Sequence, residues 1–215
     1  MSGKDSLNNE FEADGRPIAI PHTLLISAIG VTPDVKRTVS MDFKEAGDTV
    51  YIVGDTYAEL GGSEYLRTRG FTGNRVPRVD PHKARESMER LSQTTASGLV
   101  RACHDCSDGG LGVAIAEMAF AGNLGASIDL GAVPLGEAMD RDDFILFSES
   151  NSRFLVEVSP PNQTAFERVM KGSRFATIGQ VNDSTLLEIR GIDGRKVVSA
   201  GIADLKEAWQ KPLRW

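Results

Sequence analysis

No basic block stands anywhere in the sequence. Lys plus Arg total 24 against 30 for Asp plus Glu, a net charge of −6. That balance argues against non-specific nucleic-acid binding. Long apolar runs are missing too: stretches such as Thr23-Leu24-Leu25-Ile26 fall far short of the ~20 residues that span a bilayer. The opening residues Met1-Ser2-Gly3-Lys4-Asp5 contain no apolar segment of the secretory type, so no signal peptide and no membrane association are expected. Cysteine is scarce: 2 residues cannot staple a scaffold of 215, and both fit a reducing, cytoplasmic compartment. There is no low-complexity tract and no fixed-period repeat. What remains is a composition ordinary for a folded domain, 40% hydrophobic and 25% charged, long enough for one large domain or two small ones. The 22 glycines exceed average usage and point to tight turns or close ligand approach.

Strand and helix patterns interleave along the chain. Residues 23–31 (TLLISAIGV), ended by Thr32-Pro33-Asp34, read as a strand, as do residues 48–54. Residues 144–147, 153–158, 175–181 and 185–190 read as further strands. Asn182-Asp183-Ser184 suggests a hairpin between the last two, and Asp193-Gly194 a hairpin into residues 196–199. Asp80-Pro81 is a helix start, with Ala84, Met88, Leu91, Thr95 and Leu99 forming one stripe down a helix reaching about Ala102. A second helix spans residues 109–121, with Leu111, Ile115, Met118 and Ala119 inward and Gly122 as its stop. A third begins at Pro160-Pro161 and presents Phe166, Val169 and Met170. A fourth covers residues 201–209 and is stopped by Pro212. The fold class expected is α/β (α+β), a mixed sheet with helices on one or both faces. Residues 2–16 are polar, without hydrophobic period, and read as loop-like.

Four segments have chemistry in them. In Gly3-Lys4-Asp5-Ser6 a glycine backbone and a lysine can approach a phosphate, although the spacing is not a P-loop and a solvated terminus is the plainer reading. In Cys103-His104-Asp105-Cys106-Ser107-Asp108-Gly109-Gly110 a short buried strand leads into a helix, with Ser107 or Asp108 as N-cap. Asp105 and Asp108 are hard oxygen donors suited to Mg²⁺; alternatively Asp108 only caps and Asp105 only pairs with a nearby cation. Cys103 and Cys106 spell C-x-x-C, but both precede the helix's first turn and no second pair completes a zinc site, so buried structural thiols are expected. Leu60-Gly61-Gly62-Ser63-Glu64-Tyr65 opens a short helix that Ser63 can cap, or whose end an anion can meet. Ser148-Glu149-Ser150-Asn151 lies between two expected strands, where polar residues can simply make a turn. His22 and His82 read as incidental.

These segments stand in one order that resembles phosphoribosylformylglycinamidine synthase, a family of the aminoimidazole ribonucleotide synthetase superfamily. The resemblance rests on Gly3-Lys4-Asp5-Ser6, Leu60 to Tyr65 as quoted, His104-Asp105-Cys106-Ser107-Asp108-Gly109-Gly110-Leu111, Ala116-Glu117-Met118-Ala119-Phe120-Ala121-Gly122, and Ser148-Glu149-Ser150. It runs over almost the whole chain. The family's synthase component is an internal duplication of an ATP-binding domain and a C-terminal domain, and this chain resembles the end of the second copy. Residues 1–17 then correspond to the tail of the ATP-binding domain and 18–215 to the C-terminal domain, so a fragment or one subunit of a split enzyme is expected.

The resemblance implies ATP-dependent conversion of formylglycinamide ribonucleotide, with ammonia from a glutaminase partner, to the amidine of purine biosynthesis. ATP and Mg²⁺ are the implied cofactors, and the glutaminase subunit and the rest of the synthase are the implied partners. Residue by residue, Gly3 and Ser107 correspond to nucleotide-binding positions, Ser6 to a substrate-contacting one, Lys4 to a phosphate or metal-adjacent one, and Asp105 to a metal ligand. Asp105 and Ser107 belong to a second, pseudo-symmetric nucleotide site, and Glu149-Ser150-Asn151 stands where the first copy contacts substrate. An isolated chain is expected to be inactive, and to expose the face its twin covers or to form a homodimer. The alternatives are a non-catalytic docking domain of the same complex, another kinase or synthetase of the superfamily (thiamine-monophosphate kinase, selenide-water dikinase), and a C-x-x-C oxidoreductase.

Overall fold

The computed structural model describes residues 10–19 and 26–213, and the chain forms two compact units, Met1–Pro33 and Asp34–Trp215. In the first unit β1 (Glu10–Ala13) and β2 (Arg16–Ala19) pair as an antiparallel hairpin. Asp14 and Gly15 turn it with φ of 52° and 70°, the left-handed pair that a two-residue hairpin loop needs. The loop expected through Arg16 is therefore a hairpin from Glu10 on, and Asp14-Gly15 was its signal. The strand expected over residues 23–31 does not form within the described part. Residues 26–31 join no ladder, and Ile26, Ile29 and Val31 are exposed. A β-branched run becomes a strand only where a partner edge accepts its hydrogen bonds.

The second unit opens with β3 (Thr49–Val53), α1 (Glu64–Thr68), α2 (Pro81–Ala96), β4 (Ala102–Asp105), α3 (Gly110–Gly122) and β5 (Gly125–Asp129). It continues with α4 (Asp142–Phe147), β6 (Phe154–Val158), α5 (Gln163–Met170), β7 (Phe175–Asn182), β8 (Leu186–Arg190), β9 (Lys196–Gly201) and α6 (Ile202–Gln210). The seven-stranded sheet runs β4-β6-β3-β7-β5-β8-β9, antiparallel throughout except for the β5–β8 pair. This is the mixed α/β fold expected, with helices on both faces.

Alternation along β3 shows why. Val50 and Ile52 join the cluster containing Leu111, Ile115 and Met118 of α3 and Ile145 of α4. Tyr51 and Val53 join Leu91 of α2 with Phe166 and Met170 of α5. A strand buried on both faces reads as one apolar run, which is how it stands in the sequence.

Three expectations need correction. Residues 144–147 are the end of α4, not a strand. Asp142 and Asp143 in its first turn complement the helix dipole, and a short apolar run carries no period of its own. Asn182-Asp183-Ser184 is not a hairpin turn, because β5 lies between β7 and β8 and pairs with both. The helix begun by Asp80 and Pro81 ends at Ala96: Gly98 turns left-handed at φ 69°, and Ala102 already belongs to β4. The Asp193-Gly194 hairpin joins β8 to β9 as expected.

Inside the sheet two carboxyl groups meet. Glu157 of β6 is fully buried and accepts hydrogen bonds from the Lys44 and Glu45 amides at 2.9 and 3.0 Å. Its neighbour Asp48 is also buried, and each carboxyl shifts the other's proton affinity. Arg101 Nε lies 2.9 Å from Asp48 Oδ2, but out of line for a hydrogen bond. Burial pushes the Glu157 carboxyl up to about 7 and raises Asp48 as well. A raised folded-state pKa means the native state holds the proton more tightly than the unfolded chain. The stability that Glu157 contributes is therefore full below about 4.5, its ordinary value, and is lost as pH rises through about 7. Urea unfolding of Glu157→Gln across that window should show a flatter pH dependence than the wild type. A pH dependence across that window that is the same in Glu157→Gln as in the wild type would refute the assignment.

Candidate functional site

The turn after β4 places Asp105, Ser107 and Asp108 on the surface and buries Gly109 and Gly110. Gly109 is the N-cap of α3 at φ 78°, with Gly110 following at φ 66°. Neither Ser107 nor Asp108 caps the helix, contrary to expectation, since α3 has no side-chain cap from its own N-cap residue. The acceptor comes from elsewhere in the chain. Glu149 Oε1 accepts from Gly109 N at 2.8 Å and from Glu64 N, the start of α1, at 3.0 Å. One carboxylate thus satisfies orphan amides at two helix ends and meets the positive end of each. Ser63 caps α1 as expected, accepting from Leu66 N at 3.2 Å.

Glu149 is held by the segment around it. Ser148 Oγ donates to Tyr57 O at 2.5 Å, and Ser150 Oγ accepts from Tyr57 N at 3.1 Å. Arg153, 1% exposed, donates from Nε to Ser150 O and from Nη1 to Thr56 Oγ1, both at 3.0 Å, and from Nη2 to Ser148 O. Its hydrogen-bond acceptors are thus neutral oxygens. Burial pulls the guanidinium below its ordinary value.

A cavity of about 460 Å³ opens between these pieces, lined among others by Asp105, Ser107, Asp108, Glu149, Asn151 and Arg153. The structure therefore brings Asp105 and Ser107 together, with Ser107 Oγ hydrogen-bonded to Asp105 Oδ2. That hydroxyl holds the Asp105 carboxyl below the usual carboxylate range, so it is ionised at neutral pH. His104 stands between two carboxylates: Nε2 lies 2.8 Å from Glu117 Oε2 on α3, and Nδ1 lies 3.5 Å from Asp105 Oδ1. Glu117 also accepts from Trp209 Nε1 through Oε1 at 3.2 Å. His82 is exposed in the first turn of α2. Gly3, Lys4, Ser6 and His22 lie outside the described residues.

Both cysteines are set among apolar surroundings, Cys106 buried and Cys103 half-buried. Both are free, and burial pushes the Cys103 thiol up to about 12 and the Cys106 thiol to about 11. Both thiols are thus held protonated at neutral pH, which fits the buried structural cysteines expected. Sequence reasoning missed Arg153 altogether, although an arginine immediately before the apolar run Phe154-Leu155-Val156 was visible. It also missed that Glu149 reaches two helices, for which local sequence holds no signal.

The two adjacent glycines of the turn are not interchangeable with others. At Gly110 a Cβ would overlap Ser148 O and come within 3.0 Å of Leu146 O. At Gly194, also left-handed at φ 78°, a Cβ would meet nothing within 4 Å. Gly194→Ala should cost ~1–2 kcal/mol of backbone strain in chemical denaturation. Gly110→Ala should cost about 1–3 kcal/mol more, from overlap. Equal losses would show that the Gly110 contact is not as drawn.

The chain matches the family described as AIR synthase related protein, C-terminal domain, over residues 45–192. A phosphoribosylformylglycinamidine synthase subunit PurL from Moorella thermoacetica is 36% identical over 218 residues, covering 98% of this chain. The chain spans 28% of that relative's length. Among solved structures, Thermotoga maritima PurL complexed with FGAR superposes with a TM-score of 0.70 at 23% identity, over 80% of this chain and 30% of that one. The PurLQS structure from the same organism gives 0.69 at 22% identity, over 80% and 28%. At such identities the superpositions speak for the fold. The family match covers more than half of the sequence, and the chain accordingly belongs to the AIR synthase related family as a C-terminal domain.

Proposed function

We propose that this chain is the C-terminal part of a phosphoribosylformylglycinamidine synthase. In the whole enzyme, ATP would activate the amide oxygen of formylglycinamide ribonucleotide, and ammonia from a glutaminase partner would displace phosphate to give the amidine. The relative from Moorella thermoacetica carries that synthase name. The chain's share of this work is to build one wall of a nucleotide site. Residues 1–17 would be the tail of the preceding ATP-binding domain and 18–215 the C-terminal domain, in a cytoplasmic complex. Among the described residues no helix is long and apolar enough to cross a membrane.

The observation that carries this reading is the convergence of the Asp105–Gly110 turn and the Glu149–Arg153 segment on one cavity. Ser107 would contact nucleotide. Gly3 would approach it, Lys4 would stand beside a phosphate or metal, and Ser6 would contact substrate. Among the described residues no cluster of three or more His, Cys, Asp or Glu could hold a metal. Mg²⁺ does not require one, because it binds through one or two carboxylates, nucleotide phosphates and water. The exposed, ionised Asp105 fits as that carboxylate. Bound there, the ion would offset the charge of the phosphates.

A second reading has its own support. Glu149 already occupies the amides of Gly109 and Glu64, so the helix ends that commonly receive a phosphate are closed by an internal anion. That arrangement suits a docking domain, pairing with its twin copy or as a homodimer, with no nucleotide of its own. Calorimetric titration of the 215-residue chain with Mg-ADP separates the two. Saturable binding weakened at least tenfold in Asp105→Ala supports the nucleotide wall. Absence of heat from a chain shown to be folded would overturn it in favour of docking. In either case the isolated chain should turn over no formylglycinamide ribonucleotide.

A further inference from the structure

On the other side of the 150–152 segment lies a second cavity, of about 240 Å³, which shares Asn151 and Ser152 with the first but none of its Asp105–Asp108 turn. Asp55, Arg78, Lys83 and Arg174 line it, together with Asn151 and Ser152. We propose that this cavity binds a phosphate dianion, either free phosphate or the head of a small phosphomonoester.

The cavity is a built one. Its walls come from the end of β3, the first turns of α2, the 150–152 segment and the loop after α5. Gly54, Ser152 and Gly172 all run left-handed there, at φ of 97°, 61° and 108°. A Cβ at Gly54 would come within 2.6 Å of Ser152 O, so the first and third of these walls touch only because Gly54 has none. Asp55, whose side chain is 9% exposed, fixes the cations: Oδ1 accepts from Arg174 Nε at 2.9 Å and Oδ2 from Lys83 Nζ at 3.2 Å. Lys83 Nζ also lies 3.4 Å from Tyr57 OH.

The carboxylates of the lining are engaged. Asp55 holds two cations, Asp80 accepts from the His82 and Lys83 amides, and Glu86 pairs with Arg90 at 2.9 Å. The cations are not saturated. Arg174 and Lys83 have side chains 62% and 59% exposed and keep spare N–H donors beyond their bonds to Asp55. The Arg78 side chain has no ion pair or hydrogen bond among the described residues, and its backbone N–H is anchored on Glu59 Oε1 at 3.2 Å. The N-terminus of α2 is closed by Asp80, so the free donors are the side chains of Arg78, Lys83 and Arg174. Three cationic side chains around carboxylates that are already paired suit a phosphate, whose charge and oxygens outnumber those of a carboxylate. The volume falls below the usual range for drug-sized ligands, so the body carried by the phosphate is small.

The site stands independently of the nucleotide wall, since neither Asp105 nor Ser107 lines it. The test is a calorimetric titration of the full chain with inorganic phosphate, and separately with glycerol 3-phosphate, at constant ionic strength. Both should bind saturably. Tighter binding of glycerol 3-phosphate identifies a phosphomonoester as the ligand class, and equal affinity identifies free phosphate. Arg78→Ala, which breaks no side-chain bond among the described residues and should leave folding intact, should weaken binding about tenfold. Lys83→Ala should do the same, and Asp105→Ala should leave phosphate affinity unchanged. No binding by the wild type, equal binding by Arg78→Ala and Lys83→Ala, or loss in Asp105→Ala would each overturn the proposal.

Discussion

A guanidinium buried to 1% exposure has to be repaid in hydrogen bonds, and Arg153 obtains them from Ser148 O, Ser150 O and Thr56 Oγ1. An unpaired buried cation is costly, so the backbone bends to the arginine. The 148–152 segment folds back over the side chain, with Ser152 left-handed at φ 61°. That fold fixes the direction of Glu149, and Glu149 in turn joins the ends of α1 and α3. Both cavities share Asn151 and Ser152 as a wall, so their shapes descend from the same buried charge.

The consequences for chemistry follow from which groups are already satisfied. At the α3 terminus the anion is internal, and what faces the solvent is an ionised Asp105 with a serine hydroxyl beside it. At the α2 terminus the anion is also internal, Asp80 on the His82 and Lys83 amides, but flanking cations outnumber what Asp55 can neutralise. On the readings proposed above, the first cavity would take a cation bridging to phosphates and the second an anion directly. Membership of the AIR synthase related family says which fold presents these walls. Which small molecules meet them is a matter of the donor sets.

Much of this was legible in the sequence where the information is local. Asp80-Pro81 announced α2, the spacing of Leu111, Ile115 and Met118 announced the inward face of α3, and Ser63 announced its cap. The grouping of Asp105 with Ser107 was legible because the residues are adjacent. Where the information is non-local the reading failed. Residues 144–147 have no period of their own, and packing against α3 together with Asp142 and Asp143 in the first turn makes them helical. The insertion of β5 between β7 and β8 depends on pairing across the sheet, which turn residues at 182–184 do not encode. Glu149 and Arg153 act over 40 or more residues of chain, on Gly109 and on Thr56, and no spacing rule reaches that far.

The account stands or falls on Arg153 as the anchor of the site. Amide hydrogen exchange followed by NMR in the wild type and in Arg153→Met tests this directly, read at Gly109 and Glu64. The account predicts that both amides lose protection together, because Glu149 no longer reaches them, while Val50 and Ile52 in the central strand keep theirs. Unchanged protection at Gly109 and Glu64 in a folded Arg153→Met chain would contradict it.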